Sequence, residues 1–215
     1  MTITIIDYGS GNMLSVLRAF EQCGAVCQIS NDPTIVAESD ALVLPGVGAF
    51  RDGMEGLSAN GLIEPIKIHA LAGRPLLGIC LGMQMLANYS EEFGTYPGLG
   101  LIPGKVSKLS SNNTAGTQRK IPFIGWASID CPSNGSWRGT PLQSVETGES
   151  IYLVHSYHFE QYEASDLLAT YNLHGDIITA AVRRTNITGL QFHPEKSGPV
   201  GLKILREFVK ISNNL

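Results

Sequence analysis

Cysteine is scarce in this chain. Its 215 residues hold four, Cys23, Cys27, Cys80 and Cys131, with no Cys-x-x-Cys spacing. That excludes a disulfide framework and a cysteine-built zinc site, and a reducing cytoplasm is the expected setting. His155 and His158 lie three apart, but no His-Glu-x-x-His run or Cys/His cluster joins them, so no metal is expected. Charge is also sparse. Fifteen basic residues against nineteen acidic ones leave a net −4, without the basic footprint that nucleic-acid binding needs. No apolar run reaches the roughly 18 residues of a membrane span. The opening residues, Met1 to Asp7, lack a basic start and read as a first strand rather than a leader. Without export, the Asn-x-Ser/Thr triplets at Asn88, Asn112, Asn134 and Asn186 carry no meaning. After that strand, Gly9-Ser10-Gly11 begins like a dinucleotide fingerprint, but Leu14 stands where the third glycine belongs. A Gly-x-x-x-x-Gly-Lys-Ser/Thr loop is missing as well, and no cofactor is expected.

What remains is a chain with 43% hydrophobic residues, enough for a sizeable core. It reads as one domain over residues 1–215. Strand-like runs at 2–6, 25–29, 41–44 and 75–79 alternate with helical spacing at 12–23, 57–72 and 83 to about 88. Such alternation predicts an α/β fold with a doubly wound, mostly parallel sheet and helices on both faces. The second half differs. Residues 107–120 are polar and read as an exposed loop. Short β-type runs follow at 128–131, 150–154, 167–171, 177–182 and 189–192, then a closing helix at 200–211. This is added β-structure on the same core.

The chemistry starts at Gly78-Ile79-Cys80-Leu81-Gly82, between an apolar strand and a helical stretch. Strand, Gly-x-Cys-x-Gly, helix is the thiol form of a nucleophile elbow. The helix start directs unpaired N–H groups at the sulfur and favours thiolate, the reactive form. On this segment alone, a buried cysteine in a glycine-rich strand reads the same.

A second group follows the last strand, in Gln191-Phe192-His193-Pro194-Glu195-Lys196. Ligands of open α/β sheets bind at the carboxyl ends of strands, where Cys80 and His193 both fall. Glu195 can hold the far nitrogen of His193, which completes a nucleophile, base and orienting carboxylate. A third element, Pro45-Gly46-Val47-Gly48, follows strand 41–44 and can present N–H groups from Gly46, Val47 and Gly48, with that of Leu81, to a developing oxyanion.

Together these motifs resemble the class I, triad-type glutamine amidotransferases. The Pro-Gly-x-Gly loop, the Gly-x-Cys-x-Gly elbow and His-Pro-Glu occur in family order over nearly the whole chain. Asp7-Tyr8-Gly9-x-Gly11-Asn12, Gly82-Met83-Gln84 and Val154-His155-Ser156-Tyr157 narrow the resemblance to the glutaminase subunits of imidazole glycerol phosphate synthase. It implies hydrolysis of glutamine through a cysteinyl thioester and ammonia passed to a (β/α)8 cyclase partner in a heterodimer. It also implies that Gln84, Glu92, Ser156 and Tyr157 bind the main-chain groups of glutamine. Asn12, Trp126 and Lys196 are the candidates for the partner face, Trp being enriched at interface centres. One stretch departs. The family's Pro-His-Met-Gly-Trp-Asn is here Pro122-Phe123-Ile124-Gly125-Trp126-Ala127, a loss of two hydrogen-bonding side chains on a segment that the resemblance places toward the cyclase. Three other roles stay open: a second-copy subunit supplying ammonia for nucleotide-sugar amidation in surface glycan synthesis, a catalytically inactive binding subunit, and a cysteine peptidase or γ-glutamyl hydrolase.

Overall fold

The computed structural model describes residues 1–9 and 11–214; Ser10, inside the motif at residues 7–12, and Leu215 lie outside the described residues. The first half runs β1 (Thr2–Ile6), α1 (Met13–Gln22), β2 (Val26–Ser30), α2 (Pro33–Glu38), β3 (Ala41–Leu44), α3 (Phe50–Ala59), α4 (Ile63–Leu71), β4 (Leu76–Ile79) and α5 (Leu81–Met85). The second continues with β5 (Tyr89–Ser90), β6 (Tyr96–Pro97), β7 (Gly104–Lys108), β8 (Phe123–Asp130), β9 (Ser150–His155), β10 (Tyr157–Gln161), β11 (Leu167–Leu173), β12 (Asp176–Arg184), β13 (Ile187–Leu190) and α6 (Gly198–Asn213).

Among the described residues, nine strands form one sheet in the order β2-β1-β3-β4-β13-β12-β11-β8-β9. Pairing is parallel from β2 to β13, because α-helical crossovers link the first strands. Beyond β13 it is antiparallel. Between β11 and β12 the link is two residues, His174-Gly175, both with positive φ, as a tight hairpin turn demands. The added β-structure therefore extends the main sheet and also supplies a separate four-stranded one, β10-β7-β5-β6.

Two apolar cores lie on the two faces of the sheet. Along β3, Ala41 and Val43 join α1 and α6 through Phe20, Ile204 and Phe208, whereas Leu42 and Leu44 join α3 and α4 through Leu57 and Ile66. Successive strand residues point to opposite faces, so a strand buried on both has no polar position to spare. No helix is long and apolar enough to cross a membrane among the described residues.

The elements differ from expectation where periodicity misleads. One helix over 57–72 is really two, α3 and α4, turning at residues 60–62. Pro65 then occupies the first turn of α4, where a missing N–H costs nothing. The loop expected from residue 107 yields its first residues to β7, and the polar stretch is pinned by Arg119. That side chain is buried, pairs with Asp176 at 2.9 Å and donates to Ser110 O and Leu173 O.

One histidine serves the scaffold. His69 on α4 is fully buried, with Nε2 3.0 Å from Pro75 O. A carbonyl only accepts, so Nε2 carries the proton. Burial lowers the pKa of His69 from 6.5 to about 4. Unfolded chains thus bind a proton below pH 6.5 that the native state refuses until about pH 4, and stability falls as pH drops through that window. In His69→Gln, the unfolding free energy should fall less between pH 6.5 and pH 5, by about 2 kcal/mol in denaturant titrations.

Candidate active site

Cys80 joins β4 to α5 with φ 54° and ψ −108°, a backbone conformation costing about 1–3 kcal/mol. The surroundings enforce it. Cys80 N–H donates to Leu190 O at 2.7 Å, and Gln84 N–H to Cys80 O at 3.2 Å. The helix runs so close to β3 that a Cβ on Gly82 would sit 1.8 Å from Leu44 O. Only glycine permits that approach.

His193 reaches the same edge because β13 is the parallel neighbour of β4, with Leu190 paired to Ile79. Cys80 follows Ile79 directly, and His193 lies three residues past Leu190. His193 N–H donates to Tyr152 O at 3.0 Å, and Ser197 Oγ–H donates to His193 O at 2.7 Å. The imidazole is buried. Its Nδ1 lies 2.8 Å from Glu195 Oε1, on a carboxylate with no solvent exposure. That contact places the proton on Nδ1 and leaves Nε2 for chemistry. Nε2 makes no ordinary hydrogen bond. Burial pulls the ring toward its neutral form, but the interactions with Cys80 and then Glu195 outweigh it and raise the pKa from 6.5 to about 9. An imidazolium beside the sulfur is the countercharge a thiolate needs.

A pocket of about 340 Å³ opens on this pair, lined by Val47, Gly48, Leu81, Gln84, Glu92, Ser156 and Tyr157 among others. Gly46 is not on the wall. It sits behind, packed against Tyr8, Leu81 and Gly82, and sets the loop against the start of α5. Leu81 N–H is the first of that helix and has no acceptor within it. Glu92 Oε2 accepts the Phe50 N–H at 2.6 Å, which anchors the carboxylate on α3.

The residues expected at a partner face separate. Trp126 is 57% exposed and Lys196 is exposed. Asn12 instead gives its Nδ2 to Glu195 Oε1 at 2.6 Å. At the departing stretch, Phe123 and Ala127 turn toward the core, and Phe123 stacks on Tyr171 with centroids 5.9 Å apart. Ile124 and Trp126 carry the outer face of β8. The two changes thus fall on the packed side of the strand.

A family model described as glutamine amidotransferase class-I matches residues 4–211. The chain belongs to that family. Among curated relatives, the imidazole glycerol phosphate synthase subunit HisH of Syntrophotalea carbinolica is 48% identical, over 96% of this chain and 98% of its own. Subunit HisH 1 of Legionella pneumophila strain Lens is 46% identical, over 98% and 99%. Solved structures agree in fold: a glutamine amidotransferase at TM-score 0.73 and 16% identity, covering 98% of both chains, and PurLQS of Thermotoga maritima at 0.71 and 20%, covering 97% of both.

In this amidotransferase, sequence reasoning passed over Pro122, Val154 and His155, which complete the pocket wall. In the sequence His155 stood out only within a motif and beside His158, with no role at the pocket. Its Nδ1 faces Tyr157 O at 2.8 Å and so bears the proton, leaving Nε2 to accept from Tyr171 Oη at 2.9 Å. Burial lowers its pKa to about 4, so it stays neutral and shapes the wall. Replacing Glu195 with Gln removes a cause of the raised His193 pKa. An NMR titration of the imidazole in Glu195→Gln should show a midpoint below that of the unaltered protein, and an unchanged midpoint would refute the pairing.

Proposed function

We propose that this chain is the glutaminase subunit of an imidazole glycerol phosphate synthase and acts in histidine biosynthesis. It hydrolyses glutamine to glutamate and ammonia and delivers the ammonia to a (β/α)8 cyclase partner in the cytoplasm. The observation that carries the reading is the meeting of Cys80 and His193 at one pocket, with Glu195 buried behind the imidazole, in a chain 48% identical to a curated subunit of that synthase.

The steps follow from the groups present. Cys80 thiolate attacks the side-chain amide carbon of glutamine, and the carbonyl electron pair moves onto oxygen. That oxyanion takes N–H groups from Leu81 and from the loop at 46–48, a contribution of about 10²–10³ in rate per donor. Collapse expels the amide nitrogen, which takes the Nε2 proton of His193 and leaves as ammonia. A thioester remains. Water then gives its proton to His193 and attacks the thioester, which releases glutamate and restores the sulfur. Glu195 keeps the imidazole in one orientation throughout.

Substrate selection rests on the pocket's other end. Gln84 uses its amide N–H groups on Tyr157 O and Gln191 Oε1, so its carbonyl oxygen is left to accept from the α-ammonium. Glu92 adds negative charge for the same group. Ser156 and Tyr157 hold the α-carboxylate end. In the assembled complex, Cys80→Ala should abolish turnover with glutamine while turnover with added ammonium persists. Glutamine-supported activity in that variant would disprove the nucleophile.

Free ammonia is protonated and lost in bulk water, so the partner must cover the pocket mouth. Ile124 and Trp126 are each 57% exposed, and Trp126 packs edge-on against Tyr152, whose backbone holds His193. Lys196 sits beside the triad turn. Trp126→Ala should weaken subunit association about tenfold or more by calorimetry, with the melting of the isolated chain unchanged.

A further inference from the structure

Gln191 is completely buried beside the nucleophile, and the mechanism above gives it no task. Burying a primary amide is costly unless each of its groups is bonded, so its partners are informative. Its Oε1 accepts from Gln84 Nε2 at 3.0 Å, and its Nε2 lies 3.8 Å from Cys80 Sγ. The orientation of both amides follows from one backbone group. Tyr157 O, 2.9 Å from Gln84 Nε2, can only accept. Gln84 must therefore present its NH₂ there, and that same NH₂ faces Gln191. Gln191 must meet it with oxygen, which turns its own NH₂ to the sulfur.

The sulfur thus has two distinct neighbours of opposite polarity. A protonated thiol has an acceptor in Val154 O at 3.9 Å, and an ionised one has a donor in Gln191. An N–H aimed at an anion is stabilising, whereas aimed at a thiol it does little.

We propose that Gln191 is a further catalytic residue: its side-chain amide, locked by Gln84 and the Tyr157 carbonyl, donates to the Cys80 thiolate and shares with the His193 imidazolium the work of holding that charge. The same relay joins the substrate-binding Gln84 to the nucleophile, so an altered Gln84 reorients the donor without touching sulfur. The proposal rests on Cys80 being the reactive group.

The test is the pH profile of Cys80 alkylation by iodoacetamide in the full-length chain, read by mass spectrometry of the Cys80 peptide. In Gln191→Glu the donor becomes a carboxylate, and the midpoint should move upward, with alkylation near pH 7 slowed about tenfold. Gln191→Met, of similar length but with no N–H, should move it in the same direction by less. Gln84→Met should give a smaller upward move, because Gln191 is then free to turn. A packing role alone would lower melting temperature in these variants and leave the midpoint in place, and that result overturns the proposal. Failure of the glutaminase reading looks different: Cys80 of the unaltered chain would then react no faster than Cys131.

Discussion

Parallel pairing of β4 with β13 is the constraint on which the rest depends. These strands are more than 100 residues apart in the chain, yet Leu190 lies against Ile79 in register. Each strand ends at the same edge, so the residues that leave it, Cys80 and His193, must be neighbours. A one-residue slip would turn every side chain of β13 to the opposite face and carry His193 away from the pocket. Burial on both faces prevents that slip, since β13 and β4 are buried throughout.

The elbow and the His193 turn are then held in place in different ways. At Cys80 the cost is a left-handed backbone, held by Leu190 O on one side and the tight packing of α5 on β3 on the other. At His193 the chain is unstrained but clamped, with Ser197 Oγ donating to His193 O and accepting from Tyr152 N. The carboxylate of Glu195 is fully buried, and His193 and Asn12 both donate to its Oε1. Three histidines show how environment assigns roles. His69 and His155 lose to burial and stay neutral, while His193 meets burial with a carboxylate and a sulfur and is held protonated.

The proposed chemistry separates the reacting end of the pocket from the end proposed to recognise an amino acid. Cys80 and His193 sit where the strands finish. Gln84 and Glu92 are held by contacts to other elements, Tyr157 of β10 and Phe50 of α3. The smaller sheet therefore helps build the Gln84 end of the pocket, and the large sheet supplies Cys80 and His193, the proposed nucleophile and base.

The sequence by itself determined the α/β class and the alternation of the first strands with helices, and it singled out Cys80, His193 and Glu195 as the proposed triad, because glycine spacing, apolar runs and His-Pro-Glu are local signals. It also determined which residues are chemically able to react. Tertiary structure alone decided three other things: the antiparallel continuation of the sheet, the seat of Asn12 on Glu195 and the amide relay from Tyr157 through Gln84 and Gln191 to Cys80. Each depends on groups far apart in the chain meeting within hydrogen-bond distance. No local pattern encodes such a meeting, because the direction of a buried amide is set by its partners and not by its neighbours in sequence.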